Sequence, residues 1–169
     1  MQSKIQILMS TYNGEKYLEE QLNSIVNQKG NFDIKILIRD DGSIDKTIDI
    51  IGKYKNKIEI DIIKGKNIGV NKSMKELFMN ADVSFDYFAI SDQDDVWNDN
   101  KLNLAVEQLE KTNFEGLKMF SSRSLVTDEK LNIIGKTQDS MGIITFYNAM
   151  IQNICPGHTQ EFNKEVVIE

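Results

Sequence analysis

The sequence predicts an α/β protein with a mostly parallel central sheet and helices on both faces. Short apolar runs rich in β-branched residues alternate with segments whose apolar residues recur at helical spacing, and this holds through residue 111. The most unusual polar residues sit where those runs end, the edge at which open α/β sheets bind ligands.

Lys4 to Ser10 reads as the first strand, closed by a Thr11-Tyr12-Asn13-Gly14 turn. Between Glu15 and Gln28, Leu18, Leu22, Ile25 and Val26 make one apolar helical face. Residues 34–39 form the second strand and run into Asp40-Asp41-Gly42-Ser43. Ser43 reads as the N-cap, with Asp45 in the first turn, of a helix carrying Ile44, Ile48 and Ile51. Ile58 to Ile63 alternates as a third strand, and Gly65-Lys66-Asn67-Ile68-Gly69 leads to a helix marked by Val70, Met74, Leu77 and Phe78. Residues 86–91 make a fourth strand, followed by Asp92-Gln93-Asp94-Asp95 and a helix with Leu102, Ala105, Val106 and Leu109. Four such β-α units in series are the pattern of a Rossmann-like sheet. After Leu117 the alternation weakens. Leu117 to Thr127 and Leu131 to Gly135 read as an antiparallel hairpin around Asp128-Glu129-Lys130, and Ser140 to Ile151 as a helix.

Composition narrows the function classes. A chain of 169 residues fits one domain with a real core, and 40% hydrophobic against 27% charged residues is ordinary for a globular protein. The net charge of −6 argues against a general nucleic-acid surface, but not against a nucleotide whose charge a metal ion offsets. Cys155 is the only cysteine, so an intrachain disulfide is excluded, and a buried, inert thiol in a reducing compartment is expected. Ile7-Leu8-Met9 is too short for a signal peptide, and no run approaches the ~20 apolar residues that span a bilayer. The expected location is cytoplasmic, with any membrane association peripheral.

Three polar clusters fall on the same sheet edge: Ser10, Thr11 and Asn13; Asp40 and Asp41; and Asp92, Asp94 and Asp95. Taken singly, Asp-Gly-Ser after a strand is ordinarily a turn with a helix cap, and an acidic turn is ordinarily solvated. Their convergence favours a ligand site. Carboxylates crowded in one loop repel each other, and a hard divalent cation relieves that repulsion. Mn²⁺ or Mg²⁺ there would face a diphosphate and offset the charge of a departing nucleotide. The glycine and closing glutamate of an EF-hand loop are missing, and neither a P-loop nor a G-x-G-x-x-G turn is present. His158 is the sole histidine and reads more simply as a structural residue or ligand contact than as a catalyst.

Three segments carry a resemblance: Ile7-Leu8-Met9-Ser10-Thr11-Tyr12-Asn13-Gly14, then Arg39-Asp40-Asp41-Gly42-Ser43-x-Asp45-x-Thr47, then Ser91-Asp92-Gln93-Asp94-Asp95-Val96-Trp97. Together they resemble the family-two glycosyltransferases of GT-A fold. The third segment, with Asn67-x-Gly69 upstream and Gly157-His158-Thr159 downstream, is similar to the bacterial rhamnosyltransferase-type branch, over about residues 4 to 166. The resemblance implies that Thr11, Tyr12 and Asn13 line a nucleotide pocket and that Asp41 accepts from a pyrimidine imide N–H. It implies that Asp94 binds the metal, Asp92 faces the ribose or metal, and Asp95 supports them. Asn67 and Gly69 would approach the nucleotide or sugar, Lys72 would contact the donor, and Gly157, His158 and Thr159 would lie near the sugar and acceptor.

The implied reaction is metal-assisted sugar transfer, with inversion, from a UDP- or dTDP-sugar such as dTDP-rhamnose. The implied acceptor is a cell-surface polysaccharide or a lipid-linked glycan. The family's general base belongs to an acidic motif nearer the C-terminus, which neither Asp139 nor Glu161 matches. The expectation is therefore a single domain truncated after Glu169, with a donor-binding half over 1–111 and a partial acceptor-side half over 112–169. Two alternatives stand beside it. One is a non-catalytic nucleotide-sugar-binding module. The other is a nucleotidyltransferase, although its Gly-rich basic loop is not seen; a receiver-type signalling domain would end well before residue 169.

Overall fold

The computed structural model describes residues 2–137 and 155–168. The helix expected over Ser140 to Ile151, and Asp139, lie outside them. The first half runs β1 (Ser3–Thr11), α1 (Leu18–Val26), β2 (Phe32–Asp40), α2 (Thr47–Tyr54), β3 (Glu59–Lys64), α3 (Val70–Met79), β4 (Tyr87–Ser91) and α4 (Lys101–Lys111). It continues through β5 (Met119–Ser121), β6 (Leu125–Thr127) and β7 (Ile133–Lys136), then a 3-10 turn at Gly157–Thr159, β8 (Gln160–Asn163) and α5 (Glu165–Ile168).

The main sheet has the order β3-β2-β1-β4-β8-β5, with β1, β2, β3 and β4 parallel and β8 antiparallel to both β4 and β5. β1 is buried on both faces, through Ile5, Ile7 and Met9 on one and through Leu8 and the polar Gln6 on the other. Ile5, Ile7 and Met9 join a core with Leu18, Leu22 and Ile25 of α1, Ile51 and Tyr54 of α2, and Leu102 and Val106 of α4. Leu8 points the other way, to Leu77 of α3, Phe88 and Phe162. A ring stack of Phe78, Phe162 and Phe88, with centroids 5.7 and 5.9 Å apart, anchors the short β8 to that second core. Strand order reverses between β1 and β4, so the loops leaving their C-terminal ends diverge and open a crevice, as open α/β sheets do at such a point.

Three expectations are corrected. Ser43 does not cap α2, which begins at Thr47, and Ile44 is 92% exposed outside it. The chain before Thr47 is tied to loop 13–15 instead: Asn13 N donates to Ser43 Oγ, and Asn13 Oδ1 accepts from Ile44 N. Second, the single strand expected over Leu117 to Thr127 is two. β5 joins the main sheet through β8, while only β6 pairs with β7 in a separate hairpin. Third, Cys155 is half-buried rather than buried, because it lies on the approach to the 3-10 turn. Among the described residues no helix is long and apolar enough to cross a membrane.

Candidate functional site

The C-terminal ends of β1, β2 and β4 and the turn after β3 enclose a pocket of about 280 Å³. Its walls include Tyr12, Asp41, Asn67, Gly69, Asp92 and Asp94, all singled out in the sequence. Ser10, Val70 and Gln93 complete it. Thr11 is buried behind the wall and donates to Asp40 Oδ1 at 3.4 Å. Lys72 is exposed on the first turn of α3 and is not part of the lining.

The two aspartates after β2 divide the work. Asp40 shapes the turn: its Oδ2 accepts from Ser43 N at 3.1 Å and its Oδ1 accepts from Ser43 Oγ. The turn needs Gly42, whose φ of +82° disfavours a side chain and whose added Cβ would meet Asn67 N at 3.2 Å. Asp41 faces across to the next loop. Its Oδ1 accepts from Arg39 Nη1 and from Ile68 N at 2.8 Å, and its Oδ2 accepts from Gly69 N at 2.9 Å. Burial pushes the Asp41 carboxyl up, but the Ile68 N–H, the Arg39 guanidinium and the Gly69 N–H together hold it below its ordinary value. Asp41 is an ionised acceptor, braced before α3 and not a cap of α2.

Loop 92–97 is held from below by α1. Ser24 Oγ accepts from Trp97 N at 3.0 Å, and the Gln21 amide bonds Ser91 Oγ, just before the loop, at 2.7 Å. Gln93 clamps the loop to the first turn at two points. Its Oε1 accepts from Tyr12 N at 2.9 Å and its Nε2 donates to Tyr12 O at 3.1 Å. Gly14 makes room, since an added Cβ would lie 2.5 Å from Gln93 Oε1.

Beyond this loop the structure assembles a group that spacing could not show. His158 Nδ1 lies 3.3 Å from Asp92 Oδ2 and 3.8 Å from Asp95 Oδ2, and its Nε2 hydrogen-bonds Ser124 Oγ at 3.0 Å. The hydrogen bond to Asp92 raises the His158 imidazole above its ordinary value against the effect of burial. Burial raises the Asp95 carboxyl, and Asp92 and Asp94 push it the same way while His158 opposes. Asp95 Oδ2 is buried and accepts no hydrogen bond. Ligand atoms of Asp92, Asp95 and His158 all lie within 4.8 Å of one another, a spacing that would admit a divalent cation once the imidazole gives up the proton it shares with Asp92. Asp94, the ligand expected from the sequence, is exposed at the pocket and stands outside this trio.

Of the other residues near the 3-10 turn, Thr159 is buried and structural, bonding Ser121 Oγ at 2.7 Å and donating to Pro156 O at 2.7 Å. Gly157 packs on Ile90, where an added Cβ would make an ordinary 3.7 Å contact. Glu161, set aside in the sequence as no match for the family's base, proves to be buried, which its sequence context did not signal. It is 2% exposed on β8, ion-paired with Lys101, and its Oε2 accepts no hydrogen bond. Burial pushes its carboxyl up to about 7 despite Lys101. Lys101 also lies over the Trp97 ring, 4.8 Å from its centroid.

Comparison with known proteins identifies the family and the fold. The family described as Glycosyl transferase family 2 matches residues 6–154. A curated relative, the dTDP-rhamnosyl transferase RfbG of Shigella flexneri, is 34% identical over 95% of this chain, which spans 55% of that relative's length. A crystal structure of Staphylococcus aureus TarS 1–349 superposes over 98% of this chain and 48% of its own with a TM-score of 0.72 at 24% identity. The same protein in complex with UDP gives a TM-score of 0.59 at 29% identity, over 64% of this chain and 32% of its own. The central sheet with its helices is thus that of the GT-A glycosyltransferases.

Proposed function

This chain belongs to glycosyl transferase family 2, and from that premise we propose that its pocket holds the nucleotide diphosphate of a UDP- or dTDP-sugar. The observation that carries the proposal is the convergence of Asp41, Asn67, Gly69, Asp92 and Asp94 on one crevice where the strand order reverses. RfbG, named for dTDP-rhamnose, and TarS, crystallised with UDP, both point to a donor whose base carries an imide.

The residues divide between base, phosphates and acceptor. Among the described residues Asp41 Oδ2 has one hydrogen-bond partner, so it can accept a second from the imide N–H. Tyr12, 46% exposed at the pocket wall, offers a flat surface beside the base. Asp92, Asp95 and His158 would hold Mn²⁺ or Mg²⁺, with Asp94 at the open side toward the diphosphate. A cation bound there would supply positive charge opposite the leaving diphosphate. The sugar then passes to a hydroxyl of a polysaccharide or lipid-linked acceptor with inversion, at the cytoplasmic side of a membrane. Glu161 does not serve as the base, because it is buried and paired with Lys101. We place the base outside the described residues.

A thermal-shift screen of UDP, dTDP, CDP and GDP with and without Mn²⁺ tests the reading. At about 100 times its dissociation constant, a bound nucleotide adds about 2.7 kcal/mol of stability. Stabilisation by UDP and dTDP that needs Mn²⁺ is expected. No stabilisation by any of the four would overturn it.

A further inference from the structure

We propose that Arg39 is the positioning residue of the base-reading side of the pocket: its guanidinium fixes Asp41 and the 66–69 turn in one arrangement and so sets the preference for a base with an imide N–H. The inference rests on the nucleotide reading above and deepens it.

Arg39 cannot touch a ligand, since its side chain is 2% exposed. It is directed inward on the α3 side of the sheet and meets four acceptors. Nη1 donates to Asp41 Oδ1 and approaches Ser73 Oγ at 3.5 Å, Nε donates to Glu76 Oε2 at 2.6 Å, and Nη2 donates to Lys66 O at 3.2 Å. One rigid fork therefore joins the end of β2, the turn after β3 and α3, at Ser73 and Glu76. Ser73 in turn bonds Ser10 Oγ at 2.6 Å, which extends the tie to β1.

The consequence for recognition follows from counting acceptor sites. An ionised carboxylate offers about four, two on each oxygen. Arg39 and Ile68 take both on Oδ1, and Gly69 takes one on Oδ2. One site remains. It is an acceptor only, so uracil or thymine can donate to it, whereas the bare ring nitrogen of cytosine meets a negative charge. The guanidinium fork keeps Asp41 in the orientation that leaves this site. A lysine at position 39 would keep the charge but could not span Asp41, Glu76 and the Lys66 carbonyl in one plane. Gly65 gives an independent handle. An added Cβ there would lie 2.6 Å from Arg39 Nη2, and Gly65 is not in the left-handed region, so alanine displaces the fork without removing any charge.

The test is calorimetric titration of UDP and CDP, at fixed Mn²⁺, into the wild-type protein, Arg39→Lys, Gly65→Ala and the double variant. The wild type should prefer UDP by about 10- to 150-fold, the value of one charge-assisted hydrogen bond. Each single variant should cut that preference by about tenfold, and the double variant should do no more than the stronger single one, because both act through the same fork. Gly65→Ala carries the test alone if Arg39→Lys does not fold. Loss of melting temperature with an unchanged UDP/CDP ratio would show a purely structural Arg39 and overturn the proposal, as would losses that simply add in the double variant. A wild type that binds neither nucleotide overturns the pocket reading together with this proposal. A wild type whose UDP preference survives intact in both single variants overturns this proposal alone.

Discussion

Asp41, at the end of β2, is buried and Asp95, in the loop after β4, is half-buried, and their surroundings treat the charge in opposite ways. Three donors converge on Asp41 and hold its carboxyl below the ordinary value. Asp95 has burial and two neighbouring aspartates against it, His158 at 3.8 Å for relief, and an oxygen with no hydrogen-bond partner. The first arrangement is held in place without a cation and so can serve as a fixed template. The second is short of positive charge. That deficit fits a cation better than it fits a structural role, because natural interiors rarely leave a buried polar atom unpaired.

The contrast should show first in folding stability. Asp41→Ala leaves Arg39 buried without its nearest carboxylate, and breaking such a pair costs about 3–5 kcal/mol. Asp94→Ala, at an exposed position, should change stability by less than about 0.5 kcal/mol. Urea denaturation of both variants makes the comparison, and equal costs would erase it.

The pH dependence of the metal-free protein sharpens it further, since the two sides carry opposite signs. Asp41 has its folded value lowered, so the stability it contributes is present above the ordinary carboxylate range and is lost as pH falls through that lowered value. Glu161, beside the acidic loop through Lys101, is raised from 4.5 to about 7. The unfolded chain then gives up the Glu161 proton first, and stability falls as pH rises across that window. At about 1.4 kcal/mol per unit the ceiling is about 3 kcal/mol. Denaturation midpoints measured from pH 4 to 8 should fall on this side of the curve in the wild type, and Glu161→Gln should flatten the fall. An unchanged slope in that variant would place the charge strain elsewhere.

A smaller effect is expected at the junction between the two sides. Gln93→Ala removes both hydrogen bonds to Tyr12, each worth about 0.5–1.5 kcal/mol, and their half-exposed setting places the loss near the lower end. Nucleotide affinity should weaken with it, because Tyr12 and loop 92–97 would no longer be held in register. Calorimetry on a variant that stays folded reads this directly. Full affinity would show that the clamp is dispensable.

The four β-α units were legible because their strands carry short apolar, β-branched runs and their helices repeat at 3.6 residues. The pocket was legible too, since Asp41, Asn67, Gly69 and the acidic loop fall at strand ends. What escaped was held by polar contacts between distant segments. In β8 only Phe162 is apolar, and Glu161 is buried by virtue of Lys101 on α4, so no periodic pattern marks the strand. His158 joins Asp92 and Asp95 only once β8 lies beside β4. The start of α2 misled for a related reason: Ile44, Ile48 and Ile51 keep helical spacing, but Asn13 and Ser43 claim the backbone before Thr47.

The central claim is that the acidic side of the pocket is completed by a cation while the Asp41 side is complete without one. Titration of UDP into the protein with Mn²⁺, and again with the metal chelated, tests it most directly. The account predicts at least a tenfold weaker dissociation constant without metal, a difference of about 1.4 kcal/mol. The UDP-over-CDP preference should survive chelation in whatever binding remains. The same affinity for UDP with and without Mn²⁺ would contradict it.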